Sequence, residues 1–107
     1  MTSAASDLLT RLDAAALRLL ADPLRARIVT LLAAEQLCTC HLVELTGAGQ
    51  TNISNHLRLL RQAGVVSTEP CGRFTYYRLE PTVLRQLADQ LGALADAVAD
   101  APKRPCP

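Results

Sequence analysis

The four-residue turn Thr46-Gly47-Ala48-Gly49 restricts the fold of this 107-residue chain more than any other feature. It separates two segments that the spacing of apolar residues predicts to be helices, one from about Cys40 to Leu45 and a longer one from about Gln50 to Gln62. Gly64 is a good stop signal for the longer helix. Two helices of these lengths, joined by a short turn that contains glycine, have the proportions of a helix-turn-helix.

The segments on either side of this unit predict a winged helix, a mainly α fold with a small β-hairpin. A stripe of leucines at helical spacing, which passes through Leu12 to Leu20, predicts a first helix from Ser6. Asp22-Pro23 opens a second helix, with Asp as N-cap and Pro as the first helical residue. The later elements are a short strand at Leu37 to Thr39, strands at Val65 to Thr68 and Phe74 to Leu79 around a turn at Pro70-Cys71-Gly72, and a last helix from Glu80-Pro81-Thr82.

One domain is predicted, at residues 6–100, between a disordered N-terminus at residues 1–5 and a flexible tail at residues 101–107 that contains three prolines. A chain of this size has limited buried area per residue, and dimerisation is an obvious way to bury more. The last helix has the spacing of a two-helix seam. Its seam residues are Leu84, Leu87, Leu91, Leu94 and Val98.

Polar side chains fill the N-terminal half of the longer helix, the half that reaches base edges in a helix-turn-helix. The candidate DNA contacts there are Gln50, Thr51, Asn52, Ser54, Asn55 and Arg58, while Ile53, Leu57 and Leu60 form the expected core face. Asn and Gln can pair with adenine and Arg with guanine. A solvated surface is the alternative, but Asn and Ser cost helix stability relative to Ala or Glu, which favours a recognition role.

A local basic patch accompanies this helix, although the net charge of the whole chain is only +1. Between Gln50 and Leu79 there are four arginines and a single acid, Glu69. Such a patch is a plausible phosphate-binding surface, and an ordinary solvated face is the alternative. Arg73, beside the hairpin turn, is a candidate contact to phosphates or the minor groove. For His56 we favour a supporting or DNA-backbone role over a metal-ligand role.

Cys38 and Cys40 lie one residue apart, where the short strand is expected to pass into a helix. On a regular helix they would point about 200° apart, whereas in an extended segment they fall on one side, roughly 7 Å apart. Thiolates select soft ions, arsenite and antimonite among them. Proximity to a helix N-terminus predicts a lowered pKa for the Cys40 thiol. The alternative is that both thiols are small core residues.

A third ligand would be needed beside this pair. Cys71, in the expected hairpin turn, and Cys106, in the tail, are the candidate thiols, and His41 would add a nitrogen if the ion were Zn or Cd. No carboxylate pair, Ser-His-Asp set or phosphate loop is visible, so we expect no enzymatic activity. The chain starts without the charged and apolar segments of a secretory signal, and no run approaches the ~20 apolar residues of a membrane span. We therefore expect a cytoplasmic protein with free thiols and no membrane partner.

The segment from Ala21 to Leu79 resembles the ArsR/SmtB family of metal-responsive repressors. The resemblance rests on the residues at 21–25 (Ala-Asp-Pro-Leu-Arg), 37–42 (Leu-Cys-Thr-Cys-His-Leu), 51–57 (Thr-Asn-Ile-Ser-Asn-His-Leu), 60–66 and 72–79. Cys38 and Cys40 match the first two cysteines of the family's arsenic-sensing motif, Glu-Leu-Cys-Val-Cys-Asp-Leu-Cys. The motif's Asp is His41 here and its third cysteine is Val43. The last helix has no His, so the family's zinc site on that helix is not expected.

The resemblance implies a homodimer, paired through its first and last helices and bound to an inverted-repeat operator with recognition helices about 34 Å apart. It also implies that the dimer needs no cofactor to bind DNA and leaves it when an ion binds. Our leading hypothesis is an As(III)- or Sb(III)-responsive repressor that uses Cys38 and Cys40, with Cys71 or Cys106 as third ligand. The alternatives are a repressor that senses Cd, Pb or Zn, a thiol redox switch, and a protein-interaction winged helix with inert cysteines.

Overall fold

The computed structural model describes residues 12–107, and its element order is that of a winged helix-turn-helix. The helices are α1 (Ala14–Ala21), α2 (Pro23–Ala34), α3 (Thr39–Thr46), α4 (Gln50–Gln62) and α5 (Pro81–Ala97), followed by a 3₁₀ turn (Val98–Asp100). The strands are β1 (Leu37–Cys38), β2 (Val66–Cys71) and β3 (Phe74–Leu79). The predicted fold class is confirmed. Residues 101–107 are exposed and form neither helix nor strand.

The first helix differs from its prediction. Its expected start at Ser6 lies outside the described residues, and the continuous stripe through Leu12 is wrong, because Leu12 and Asp13 are not helical. Asp13 is an extended N-cap whose carboxylate accepts a hydrogen bond from the Ala16 backbone N–H at 3.0 Å. A side chain that satisfies this free N–H starts a helix at the next residue, so α1 begins at Ala14.

The start of α2 is as predicted. Asp22 is the N-cap, its carboxylate accepts from the Arg25 backbone N–H at 3.0 Å, and Pro23 is the first helical residue. This hydrogen bond is the largest cause that holds the pKa of Asp22 below its ordinary value. The residue at which α2 begins is therefore determined by the hydrogen bonding of its first turn as well as by the spacing of its apolar residues.

The three strands form one antiparallel sheet in the order β1-β3-β2. Leu37 and Cys38 pair with Tyr77 and Tyr76, which adds β1 to the inner edge of the hairpin. The predicted turn at Pro70-Cys71-Gly72 is wrong, since β2 continues to Cys71, which pairs with Phe74. Gly72 supplies the positive φ of 61° that a two-residue turn requires, and Pro70 is tolerated because β2 is an edge strand.

The core lies where α2, α3 and α4 meet the base of the hairpin. Its fully buried side chains are Ile28, Leu42, Ile53, Leu57, Leu60 and Val65, which include the expected core face of α4. The seam of α5 is only partly covered: Leu87 is buried, but Leu91 is 45% and Val98 72% exposed. Within residues 12–107, no helix is long and apolar enough to cross a membrane.

Candidate metal site and nucleic-acid interface

Cys38 and Cys40 lie at the junction of β1 and α3. Cys38 has extended backbone (φ −89°, ψ 169°) and is the N-cap of α3, whereas Cys40 is the second residue of the helix. Their Sγ atoms are 2.7 Å apart, and both cysteines are free thiols. A strand residue followed by a first-turn residue therefore brings the sulfurs together, an arrangement that a regular helix would not allow.

His41 adds a nitrogen to this pair. Its Nδ1 atom lies 3.2 Å from the Cys38 Sγ atom and accepts a hydrogen bond from the Cys38 backbone N–H at 3.1 Å. An Nδ1 atom that accepts a hydrogen bond carries no proton, so the neutral ring has its proton on Nε2. The ring also lies edge-on to Tyr76, with centroids 5.9 Å apart. One ligand atom from each of Cys38, Cys40 and His41 lies within 4.8 Å of the others.

The two thiols differ in burial and in pKa. Burial raises the pKa of Cys38, but hydrogen bonds from the Cys40 thiol and from the backbone N–H groups of His41 and Cys40 outweigh it and lower the pKa. Its hydrogen bond with Cys38 raises the pKa of Cys40. The expected lowering at Cys40 is therefore wrong, because the hydrogen bond with Cys38 and burial outweigh the lowering by the backbone N–H groups of the helix N-terminus.

The donor set fits a soft or borderline ion. Two thiolates and an imidazole are ligands of Zn-like ions, whose bonds are about 2.3 Å to sulfur and about 2.0 Å to nitrogen. A tetrahedral ion would hold the two sulfurs roughly 3.7 Å apart. The present Sγ–Sγ distance of 2.7 Å would then have to increase by about 1 Å. The Nδ1 atom would exchange its hydrogen bond with the Cys38 N–H for the ion.

Cys71 and Cys106 are not part of this cluster. Both are exposed, Cys71 at the tip of β2 and Cys106 in the segment 101–107. The sheet register places Cys71 two strands across and two residues along from Cys38. At ordinary strand spacing their Cα atoms are about 12 Å apart, which is too far for one ion to bind both thiols of a chain.

The candidate DNA-contacting residues of α4 are exposed on one side of the helix. They are Gln50, Thr51, Asn52, Ser54, Asn55 and Arg58, and the intervening Ile53 and Leu57 are fully buried. Arg73 is exposed in the hairpin turn. His56 is half-buried, lies outside the thiol cluster, and its Nδ1 atom is 3.1 Å from Arg25 Nη1. A contact to DNA at each of these positions remains a prediction.

Two neighbours were not identified from the sequence. Tyr76 was recognised only as a strand residue, and its contact with His41 depends on the pairing of β1 with β3. Arg25 was part of the segment 21–25 but had no role in the sequence interpretation, because its partner His56 is 31 residues away. No local pattern predicts either contact.

The helix-turn-helix of α3 and α4, followed by the β2–β3 hairpin as a wing, is the architecture of winged-helix transcriptional regulators. The thiol cluster lies at the start of α3, the first helix of the helix-turn-helix. The family model described as "Bacterial regulatory protein, arsR family" matches residues 22–68. The chain is 42% identical over 92 residues to the HTH-type transcriptional repressor SmtB of Mycobacterium tuberculosis, covering 84% of this chain and 67% of that one. The chain belongs to the ArsR family, whose members are transcriptional regulators and not enzymes, as expected.

Further relatives and solved structures support this family assignment. The arsenic resistance transcriptional regulator ArsR1 of Pseudomonas putida is 40% identical over 79 residues, which are 73% of this chain but only 62% of that protein. A crystal structure of a possible transcriptional regulator for arsenical resistance has a TM-score of 0.67 at 38% identity and covers 82% of this chain and 97% of its own. A homodimeric winged helix-turn-helix DNA-binding domain from Mycobacterium bovis has a TM-score of 0.62 at 26% identity, with 94% and 89% covered.

Proposed function

We propose that the protein is a homodimeric transcriptional repressor of the bacterial cytoplasm that leaves an inverted-repeat operator when a thiophilic ion binds Cys38 and Cys40. The observation that carries the proposal is the position of these thiols on the first turn of α3, the helix that supports the recognition helix α4. The names of the relatives, an arsenic resistance regulator and a repressor, support the same function.

The mechanism follows from the location of the two sulfurs on different elements. Cys38 is held by β1, which pairs with β3, whereas Cys40 moves with α3. One ion bound to both sulfurs would tie α3 to β1, and in this mechanism the first turn of α3 shifts relative to β1 as the two bonds form. Leu42 of α3 and Ile53 of α4 are both in the buried core, and close packing transmits the shift to α4. A coupling of only about 1–3 kcal/mol is typical of such switches.

As(III) or Sb(III) is the first candidate inducer, because trivalent arsenic and antimony favour thiolates. Cys38 and Cys40 supply two of them, and a third comes from Cys71 or Cys106. Because the Cα atoms of Cys71 and Cys38 are about 12 Å apart within one chain, Cys71 would have to act from the other subunit. Cys106 is 66 residues after Cys40 in an exposed segment, and it is the second candidate.

Cd, Pb or Zn is the second candidate class, and His41 is the observation that favours it. Its Nδ1 atom is already 3.2 Å from Cys38 Sγ, so a set of two sulfurs and one nitrogen needs no residue from elsewhere. Borderline ions accept imidazole readily. A third thiol would suit either class of ion, whereas the imidazole would favour Zn or Cd over As(III).

The deciding experiment is a titration of the protein on a duplex that it has selected from a randomised pool of inverted repeats. Arsenite, antimonite, Cd, Pb and Zn are added to the wild type and to Cys38→Ser/Cys40→Ser, Cys71→Ser, Cys106→Ser and His41→Gln, with DNA release read by fluorescence anisotropy. We expect release from the wild type and none from Cys38→Ser/Cys40→Ser, which should bind the duplex normally without ions. Normal ion-dependent release from this variant would exclude the mechanism.

Two controls separate the alternatives. Peroxide is added in place of the ion, because release by peroxide and by none of the ions would indicate a thiol redox switch. Failure of the wild type to select any duplex would indicate a protein-interaction module instead. Loss of arsenite response in Cys71→Ser or Cys106→Ser identifies the third thiol, whereas loss of the Cd or Zn response in His41→Gln identifies the imidazole.

A further inference from the structure

Arg25 makes three contacts to three different parts of the protein. Its backbone N–H donates to the Asp22 carboxylate at 3.0 Å, at the N-cap of α2. Its Nε atom donates to the Leu19 carbonyl oxygen of α1 at 2.6 Å. Its Nη1 atom lies 3.1 Å from Nδ1 of His56 in the recognition helix α4. The half-buried side chain of Arg25, a residue of α2, therefore contacts both α1 and α4.

The chemistry of the two groups determines which of them donates the hydrogen bond between Arg25 and His56. A guanidinium group is always protonated and only donates, so the His56 Nδ1 atom is the acceptor. His56 is then neutral, with its ring proton on Nε2. Because the planar guanidinium presents its donors in a rigid fork, the same group can hold the Leu19 carbonyl and the His56 ring at once. A lysine has the charge but not this fork.

The contact reaches the recognition helix at the boundary between its buried face and its exposed face. His56 is half-buried and lies between Asn55, which is exposed, and Leu57, which is fully buried. At the other end, α1 is attached to α5, because the Asp13 backbone N–H donates to Gln90 Oε1 at 2.8 Å. Arg25 therefore links the layer of α1 and α5 to α4.

We propose that Arg25 is a positioning residue for DNA binding: through His56 it holds the recognition helix at a fixed angle to α1 and α2 without touching DNA. This inference rests on the proposed function, since it concerns the same DNA complex. It adds a route between the outer helices and the recognition helix that does not pass through the thiol cluster. The role belongs to the geometry of the side chain and not to its charge.

The test compares Arg25→Gln and Arg25→Lys with Arg104→Gln, a matched loss of one exposed charge in the segment 101–107. Affinity for the duplex selected by the wild type is measured over a range of salt concentrations, well below the unfolding temperature of each variant. We expect Arg25→Gln to weaken binding about tenfold and Arg25→Lys to recover little of that loss. The slope of the logarithm of the binding constant against the logarithm of the salt concentration (the salt slope) should stay unchanged. Loss of a phosphate contact would reduce its magnitude by about 0.9.

His56 variants test the link itself. His56→Asn keeps an acceptor near the Nδ1 position and should recover most of the affinity that His56→Leu loses, whereas His56→Leu should weaken binding about as much as Arg25→Gln. The double variant Arg25→Gln/His56→Leu should be no weaker than either single variant, because both remove the same interaction. Free of DNA, the ¹⁵N shifts of the His56 ring should report the Nε2–H form in the wild type and a tautomer mixture in Arg25→Gln.

Several results would overturn the inference. Equal affinities of Arg25→Gln and Arg104→Gln would do so, as would losses that multiply in the double variant or a reduced salt slope. Should Arg25→Gln fail to fold, the Arg25→Lys, His56→Asn and His56→Leu series decides the question alone. In each of these cases the wild type still binds its duplex, so the proposed function stands. Absence of any duplex binding by the wild type would overturn both.

Discussion

The Nδ1 atom of His41 accepts a hydrogen bond from the Cys38 backbone N–H, so that the third residue of α3 closes the first turn of its own helix. Glutamate or glutamine usually serves at this position of a capping box. The imidazole achieves the same closure and in addition places a nitrogen 3.2 Å from the Cys38 sulfur. The stabilising role and the proposed ligand role of His41 can therefore be separated by substitution.

Replacing His41 by Ala should lower the free energy of unfolding by about 1 kcal/mol, because the Cys38 N–H loses its acceptor. His41→Gln should recover most of this loss, since glutamine closes a capping box. Urea unfolding of the metal-free protein measures both. Glu44→Ala, an exposed change on the same helix, is the control and should be close to neutral. Equal losses in His41→Ala and His41→Gln would contradict the capping role.

Acid should weaken the connection between the hairpin and α5. The Ser67 hydroxyl donates to the Glu80 carboxylate, and this hydrogen bond, with Arg78 as a further cause, holds the pKa of Glu80 below its ordinary value. A carboxyl group with a lowered folded-state pKa stabilises fully above its unfolded pKa, and this stabilisation is lost as pH falls through the folded value. Ser67→Ala should therefore lower the melting temperature at pH 7 and have a smaller effect as the pH is lowered toward 3.

Thr75→Val is the control for this pH dependence, because it removes an exposed hydroxyl from the neighbouring strand. Its effect on the melting temperature should be the same at both pH values. A Ser67→Ala effect that persists unchanged at pH 3 would show that the hydroxyl stabilises the hairpin independently of the Glu80 charge.

Arg58 and Arg73 should contribute to DNA binding in different ways. Arg58→Ala, on the exposed side of α4, should cost about 1–3 kcal/mol and relax the preference for one base pair of the duplex. Arg73→Ala, in the hairpin turn, should weaken all sequences alike and reduce the salt slope by about 0.9. Competition with single-base variants of the duplex measures both. Gln62→Ala, at the other end of α4, should change neither, and uniform weakening by Arg58→Ala would argue against base contact.

The exposed seam of α5 predicts where the proposed dimer is most sensitive to substitution. Leu91 is 45% exposed in one chain, and a charge there should raise the dimer dissociation constant at least about tenfold, since a glutamate in the apolar seam would be buried without a partner. Sedimentation equilibrium of Leu91→Glu measures the change. Gln86→Glu places the same residue at an exposed position outside the seam and should leave the dimer intact. A Leu91→Glu protein that dimerises like the wild type would move the interface elsewhere.

The sequence could predict the features that depend on neighbouring residues. Asp22-Pro23 and the turn at residues 46–49 fix their helices locally, so α2, α3 and α4 agree closely with their predictions. The apolar spacing of Ile53, Leu57 and Leu60 was sufficient to identify the buried side of α4. The strand-to-helix junction at Cys38 and Cys40 was predicted for the same reason.

The predictions were wrong where two local sequence signals favour different structures. Pro70 and Gly72 both favour turns, and the edge position of β2 allowed the strand to continue past the proline to Cys71. Asp13 lay inside a helical stripe, but its side chain capped the following turn. The pKa order of the two thiols depended on the hydrogen bond between them, which crosses the strand-to-helix junction. The Arg25–His56 contact joins residues 31 apart and required the fold itself.

The two-residue strand β1 places the two thiols on different elements of the chain. Cys38 is paired with Tyr76 in the sheet that continues into the wing, while Cys40 belongs to the helix that precedes α4. Only the backbone of Thr39 lies between them. An ion bound to both sulfurs would therefore join the sheet of the wing to the helix before α4 across a single intervening residue.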